Sequence, residues 1–177
     1  MAVTLFDKTF ALYIGAETIQ ERVKEMAAAM NAGLRGEDVV FIGILNGAFV
    51  FVSDLLRHLD FNAPVSFVKL SSYKGLASSG KVISLIGVGE NLKGKTVVVL
   101  EDIVDSGKTI SAILEQISVF KPFQVRIATL LLKPDVYNGT VEIDYVGFRI
   151  PNRFVVGYGL DYDGLGRNLK DLYVLDE

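Results

Sequence analysis

Val97-Val98-Val99-Leu100-Glu101-Asp102-Ile103-Val104-Asp105-Ser106-Gly107-Lys108-Thr109 is the stretch whose reading decides the fold. Four apolar residues, three of them β-branched, predict a buried strand. Gly94 supplies the turn into it, and two adjacent carboxylates, Glu101 and Asp102, are expected to end it. A short polar loop with Gly107 follows. Ile110, Ile113, Leu114 and Ile117 then recur at the i, i+3, i+4, i+7 spacing of one helix face. Strand, acidic pair, small-residue loop, helix is an α/β unit. Its loop gathers backbone N–H groups and the Ser106 and Thr109 hydroxyls at the positive end of a helix dipole, a place that suits a phosphate.

Gly107-Lys108-Thr109 spells the tail of a nucleotide P-loop, but the spacing refutes that reading. A P-loop needs a second glycine five residues before Gly107, and Asp102 stands there, where its charge would face the triphosphate. An acidic pair beside a phosphate cradle does other work. Carboxylates accept hydrogen bonds from sugar hydroxyls and hold divalent metal through oxygen. The combination suits a ribose 5-phosphate. With three acids, a glycine and a hydroxyl at fixed spacing between apolar flanks, Glu101 to Thr109 resembles the phosphoribosyl diphosphate signature of the type I phosphoribosyltransferases.

Composition sets the bounds. The 177 residues suffice for a single domain, and half of them are apolar, which supports a globular chain. The net charge of −3, with Lys and Arg scattered, argues against broad nucleic-acid binding. The absence of cysteine removes disulfides, Cys-based zinc sites and thiol nucleophiles, and fits a cytoplasmic protein. The N-terminus lacks the features of a signal peptide, and the apolar stretch from Val39 to Val52 is interrupted by Asn46 and too short to span a bilayer.

Along the chain, Ile19, Val23, Met26 and Met30 predict a helix from Ala16 to Ala32 that ends at Gly33. Val39 to Leu45 reads as a central strand broken by Asn46-Gly47, with a helix from Ala48 to Leu59. His58, the single histidine, sits at the end of that helix with no visible catalytic partner, which excludes Ser-His-Asp chemistry and histidine metal sites. Strands are expected at Val65 to Leu70 and Val82 to Gly87. The Ser-, Gly- and Lys-rich loop between them has the length and composition of a lid. Val125 to Leu132 forms another strand, ended by Lys133-Pro134 at the rim where open α/β sheets bind ligands. Tyr145 to Val156 holds two apolar clusters around Pro151.

The resemblance assigns roles to these places. Asn46-Gly47 falls at the family's pyrophosphate loop; many members carry Lys where this chain has Asn46, so the implied role is the backbone's, centred on Gly47. Ser72-Tyr73 matches a Ser-Tyr pair that heads a mobile loop closing over the reacting centre. Lys133 matches a lysine that donates to the 6-oxo group of a purine. Phe154 to Asp163, followed by Arg167-Asn168-Leu169, resembles the base-binding segment and tail of the hypoxanthine-guanine branch. There Phe154 would stack on the purine and the Val155 backbone would read its edge. Asp161 matches a metal-associated acid that borders the base, and Arg167 a pyrophosphate contact.

The implied phosphoribosyl diphosphate site is thus Asn46, Gly47, Ser72, Tyr73, Glu101, Asp102, the loop Asp105, Ser106, Gly107, Lys108 and Thr109, and Arg167. The implied base site is Lys133, Phe154, Val155 and Asp161. Glu101 and Asp102 are the implied residues for one Mg²⁺ ion and Asp161 for a second, and Asp105 is the implied general base. The resemblance also implies a parallel central sheet flanked by helices on both faces (core about residues 16–150), with a small hood mainly from residues 151–177 to which the N-terminus can add, and a homodimer or homotetramer. The expected activity is purine salvage: transfer of a 5-phosphoribosyl group to hypoxanthine or guanine, with release of pyrophosphate. Three alternatives stand beside it: a phosphoribosyltransferase for another base such as xanthine, an RNA-binding regulator on the same fold, and a sugar-phosphate binder without catalysis.

Overall fold

The computed structural model describes residues 2–72, 82–86 and 89–176, with the side chains of residues 70–72 and 82–86 left out. The main sheet contains β3 (Val39–Leu45), β4 (Val65–Ser72), β5 (Val82–Ile86), β6 (Thr96–Val104), β7 (Gln124–Leu132) and β8 (Tyr145–Arg149). Their spatial order is β5-β4-β3-β6-β7-β8. All neighbouring pairs are parallel except β4 with β5.

Alternation along the strands explains how the helices are placed. Val39 and Phe41 of β3 and Val98 and Leu100 of β6 pack with Ile19, Val23, Met26 and Met30 of α1 (Ala16–Gly33) and with Phe51, Val52 and Leu55 of α2 (Phe49–Leu56). Val40, Ile42, Val97 and Val99, one residue out of phase, pack with Ile113 and Ile117 of α3 (Lys108–Ser118) on the other face. Near-continuous apolar strands are what a sheet buried on both faces requires. Each fully buried Ile or Leu contributes about 1.5–3 kcal/mol through removal from water.

From β3 the chain crosses through α2 to β4 on one side; from β6 it crosses through α3 to β7 on the other. Right-handed crossovers in opposite directions put their helices on opposite faces. The carboxyl ends of β3 and β6 therefore diverge at a topological switch point, the usual ligand crevice of an open α/β sheet.

A second sheet, ordered β1-β2-β10-β9, joins β1 (Ala2–Leu5) and β2 (Lys8–Ile14) to β9 (Val155–Val156) and β10 (Leu172–Leu175). Its strands come in equal number from the N-terminus and from the C-terminal segment. Phe10, Val156 and Tyr173 form its small buried cluster.

Two boundaries differ from expectation. The acidic pair does not end β6: Ile103 and Val104 continue the ladder opposite Leu131 and Leu132, because β7 runs alongside and satisfies their backbone groups. The second helix stops at Leu56 rather than Leu59, since the N–H groups of His58 and Leu59 reach back only three residues, to the carbonyls of Leu55 and Leu56. His58 is half-buried there, and its carbonyl accepts a hydrogen bond from Asn31 Nδ2. Among the described residues, no helix is long and apolar enough to cross a membrane.

Candidate active site

The loop after β6 and the turn after β3 open into one cleft of about 1030 Å³ at the switch point, lined by Asn46, Gly47, Glu101, Asp102 and the run Asp105 to Thr109. The loop between β6 and α3 has the expected backbone form. Gly107 precedes α3 with φ +84°, and its missing Cβ leaves room for the Tyr137 ring, whose Cε2 lies 2.6 Å from where a Cβ would sit. Tyr137 is in turn held by its hydroxyl, which donates to the Val141 carbonyl at 2.6 Å. Among the described residues, the backbone N–H groups from Ser106 to Ile110 have no protein acceptor, as expected at a helix start left open for an anion.

Gly47 meets Asp102 across the switch point. The Leu45–Asn46 peptide before it is cis. A Cβ at Gly47 would lie 1.4 Å from Asp102 Oδ2. On its other side the Gly47 carbonyl oxygen is 2.2 Å from the Cβ position of Gly159. The turn is thus pinned between a carboxylate and a second glycine. Asn46 is exposed beside it.

Glu101 is 5% exposed. Its Oε1 accepts the Asp102 N–H at 3.2 Å, while Oε2 is buried and, among the described residues, has no partner. Burial, reinforced by the Asp102 carboxylate, pushes Glu101 well above the usual carboxylate range. Burial also raises Asp102, against the opposing pull of the Ile103 N–H on Oδ1 at 2.7 Å and of Arg167. An orphaned carboxylate oxygen beside a second acid fits a hard divalent cation or a sugar hydroxyl, since either would supply the missing partner.

Lys133 follows β7 and is 7% exposed. Its Nζ donates to Asp105 Oδ2 at 3.3 Å and to Asn152 Oδ1 at 3.2 Å. The Asp105 side chain is 51% exposed, free to meet a ligand while tied to Lys133. Phe154 is 47% exposed at the hood's edge, packed against Phe10 and Tyr162 with ring centroids 6.2 and 6.0 Å apart. Leu175 donates its N–H to the Phe154 carbonyl. Alternation in an antiparallel ladder therefore turns the N–H and C=O of the next residue, Val155, away from β10, toward the free edge of the sheet.

Asp161 is tied to the segment that follows it. Its Oδ1 pairs with Arg167 Nη2 at 2.6 Å and its Oδ2 accepts the Gly164 N–H at 2.7 Å. Arg167 Nη1 donates to the Gly159 carbonyl at 2.7 Å, and so braces the turn that packs on Gly47. Of the Ser72-Tyr73 pair, Tyr73 and the Ser72 side chain lie outside the described residues. Sequence reasoning missed Asn152, Tyr137 and the cleft-lining residues Asn138 to Thr140. None carries a motif; only the polar Asn152 between Pro151 and Phe154 offered a local signal.

The fold and this cleft define an α/β protein with an open anion-type loop at the switch point and a small hood beside it. The chain belongs to the phosphoribosyltransferase family: the family model described as phosphoribosyl transferase domain matches residues 15–163. Within that family it groups with the hypoxanthine-guanine phosphoribosyltransferases. It is 39% identical over 173 residues to that enzyme of Mycobacterium avium, covering 94% of this chain and 85% of the relative. It is 38% identical over 163 residues to the Bacillus subtilis enzyme, covering 92% and 91%. It is also 39% identical over 163 residues to the bifunctional protein TilS/HprT of Listeria innocua, of whose length it spans 25%. A crystal structure of a hypoxanthine-guanine phosphoribosyltransferase from Bacillus anthracis superposes with a TM-score of 0.87 at 37% identity, covering 94% of this chain and 96% of that one.

Proposed function

We propose that the chain salvages purines by joining hypoxanthine or guanine to 5-phosphoribosyl diphosphate, with release of pyrophosphate. The observation that carries this is the meeting of Asp105, Lys133 and Asn152 at one point, which joins the phosphate loop to the segment bearing Phe154 and Val155. A phosphate site and a ring site within reach of one carboxylate is what transfer between them requires.

The 5-phosphate sits on the open N–H groups of Ser106 to Thr109. Glu101 and Asp102 hold the ribose hydroxyls or a Mg²⁺ ion. Mg²⁺, when bound, neutralises charge on the pyrophosphate that leaves; few protein ligands suffice, because the phosphates supply the rest. Gly47 offers its backbone to the pyrophosphate. The bond from the anomeric carbon to the pyrophosphate oxygen breaks with build-up of positive charge on the sugar. A purine ring nitrogen forms the new bond to that carbon and gives up its proton to Asp105. A carboxylate is a weak base at neutral pH, so the contribution lies in its position. Lys133 donates to the 6-oxo group and stabilises the charge that deprotonation puts there. An ammonium has no acceptor, so it meets a 6-oxo group well and a 6-amino group badly. Phe154 offers a stacking face and Val155 its outward backbone. The protein works in the cytoplasm as a homodimer or homotetramer.

Mg²⁺-dependent pyrophosphate release, measured with hypoxanthine, guanine, xanthine and adenine in parallel, tests this reading. Turnover with hypoxanthine or guanine and not adenine is expected. Exclusive use of xanthine would move the assignment to that base, and no turnover with any purine would leave only a sugar-phosphate binding site.

Asp105→Asn is expected to bind both substrates as the parent does while kcat falls by about 10²–10⁴, the usual contribution of a general base. The amide keeps the shape and the acceptor for Lys133 but cannot take the purine proton. An unchanged kcat would remove Asp105 from that role.

A further inference from the structure

We propose that Asn152 is a positioning residue for the purine: its amide oxygen aims the Lys133 ammonium at the 6-oxo group. The proposal deepens the function given above and rests on the role of Lys133 within it.

Lys133 is buried, and a buried ammonium must spend its protons on acceptors. It carries three donors and no lone pair. One donor goes to Asp105 Oδ2 at 3.3 Å and one to Asn152 Oδ1 at 3.2 Å. Among the described residues, that leaves one N–H for a ligand. With Asp105 as its only anchor, the ammonium could pivot about that carboxylate. The second acceptor comes from a different part of the fold, and two anchors on separate elements fix the direction of the third donor. Because Lys133 cannot accept, the Asn152 amide must present its oxygen, so the lysine also sets the amide's orientation.

The backbone delivers Asn152 to this point. Ile150 donates its N–H to the Leu132 carbonyl at 2.8 Å, which carries the β7–β8 pairing one step further. Arg153 then donates to the Pro151 carbonyl at 2.8 Å, a three-residue turn with Asn152 at its apex. Phe154 follows two residues on. The segment 152–155 therefore carries the lysine anchor, the stacking ring and the edge-reading backbone in succession. Asn152 is itself exposed, so core packing does not account for it.

The test is steady-state kinetics of the full chain with hypoxanthine, guanine, adenine and 5-phosphoribosyl diphosphate, on the parent, Asn152→Ala and Asn152→Asp. Asn152→Ala is expected to raise KM for hypoxanthine and guanine and to lower kcat/KM for them about tenfold, the scale of one hydrogen bond to a charged group. KM for 5-phosphoribosyl diphosphate and the melting temperature should not move. Asn152→Asp keeps an acceptor oxygen in place and should return KM for the oxopurines toward the parent value. A parent-like oxopurine KM in Asn152→Ala overturns the proposal. So does a rise shared equally by both substrates, or a failure of Asn152→Asp to rescue. A parent that turns over 6-oxopurines while Asn152→Ala matches it sinks this inference alone. A parent that turns over none sinks the proposed function and this inference with it.

Discussion

Gly47→Ala is expected to lower kcat/KM by about a hundredfold or more while the chain still folds. The added methyl would sit 1.4 Å from Asp102 Oδ2 and 2.5 Å from its Cγ, so one of the two must move. Asp102 can leave only by giving up the Ile103 N–H that its Oδ1 accepts at 2.7 Å. The turn cannot retreat either, because the Gly47 carbonyl already fills the space a side chain would need at Gly159. Both escapes disturb a group proposed to touch the ribose or pyrophosphate, and displacement of about 1 Å at such a point costs on the order of 10² in rate. Kinetics with 5-phosphoribosyl diphosphate varied at saturating hypoxanthine would measure it. A variant with parent-like kcat/KM and an unshifted melting temperature would show that the turn has slack that its geometry denies.

Lys133→Met is expected to reduce kcat/KM for hypoxanthine and guanine by about a hundredfold while narrowing the preference for 6-oxo over 6-amino purines. Methionine retains an unbranched apolar stem in the buried site, so packing is largely kept and the ammonium is lost. The loss has two parts. The 6-oxo group forfeits a charge-assisted donor, and Asp105 and Asn152 lose the group that holds them together. The selectivity change is the diagnostic part, since a site stripped of its donor no longer penalises an amino group facing it. Equal losses with every base would make Lys133 a structural strut.

The alternative of an RNA-binding regulator draws no support from the composition, whose net charge is −3 with no basic cluster.

Local chemistry made much of this protein legible in its sequence. The apolar runs of β3, β6 and β7 are long enough, and bounded sharply enough by Gly, Asp and Pro, to be read as buried strands. Helical spacing identified the buried faces of α1 and α3. The loop before α3 was readable because the function proposed for it depends on backbone N–H groups, a turn glycine and hydroxyls held at fixed sequence separation. Contacts between distant segments had no such signature. That Glu101 Oε2 has no partner among the described residues, that Gly47 fits against Asp102, and that Asp161 pairs with Arg167 all depend on where separate segments meet. Periodicity reports which face of an element is buried, whereas only the folded chain decides what lies opposite it. The sequence by itself determined the α/β class, the phosphate loop and the acids beside it; the tertiary structure alone decided that Asn152 and Asp105 share the Lys133 ammonium, because that meeting joins residues 28 and 19 positions from Lys133 along the chain.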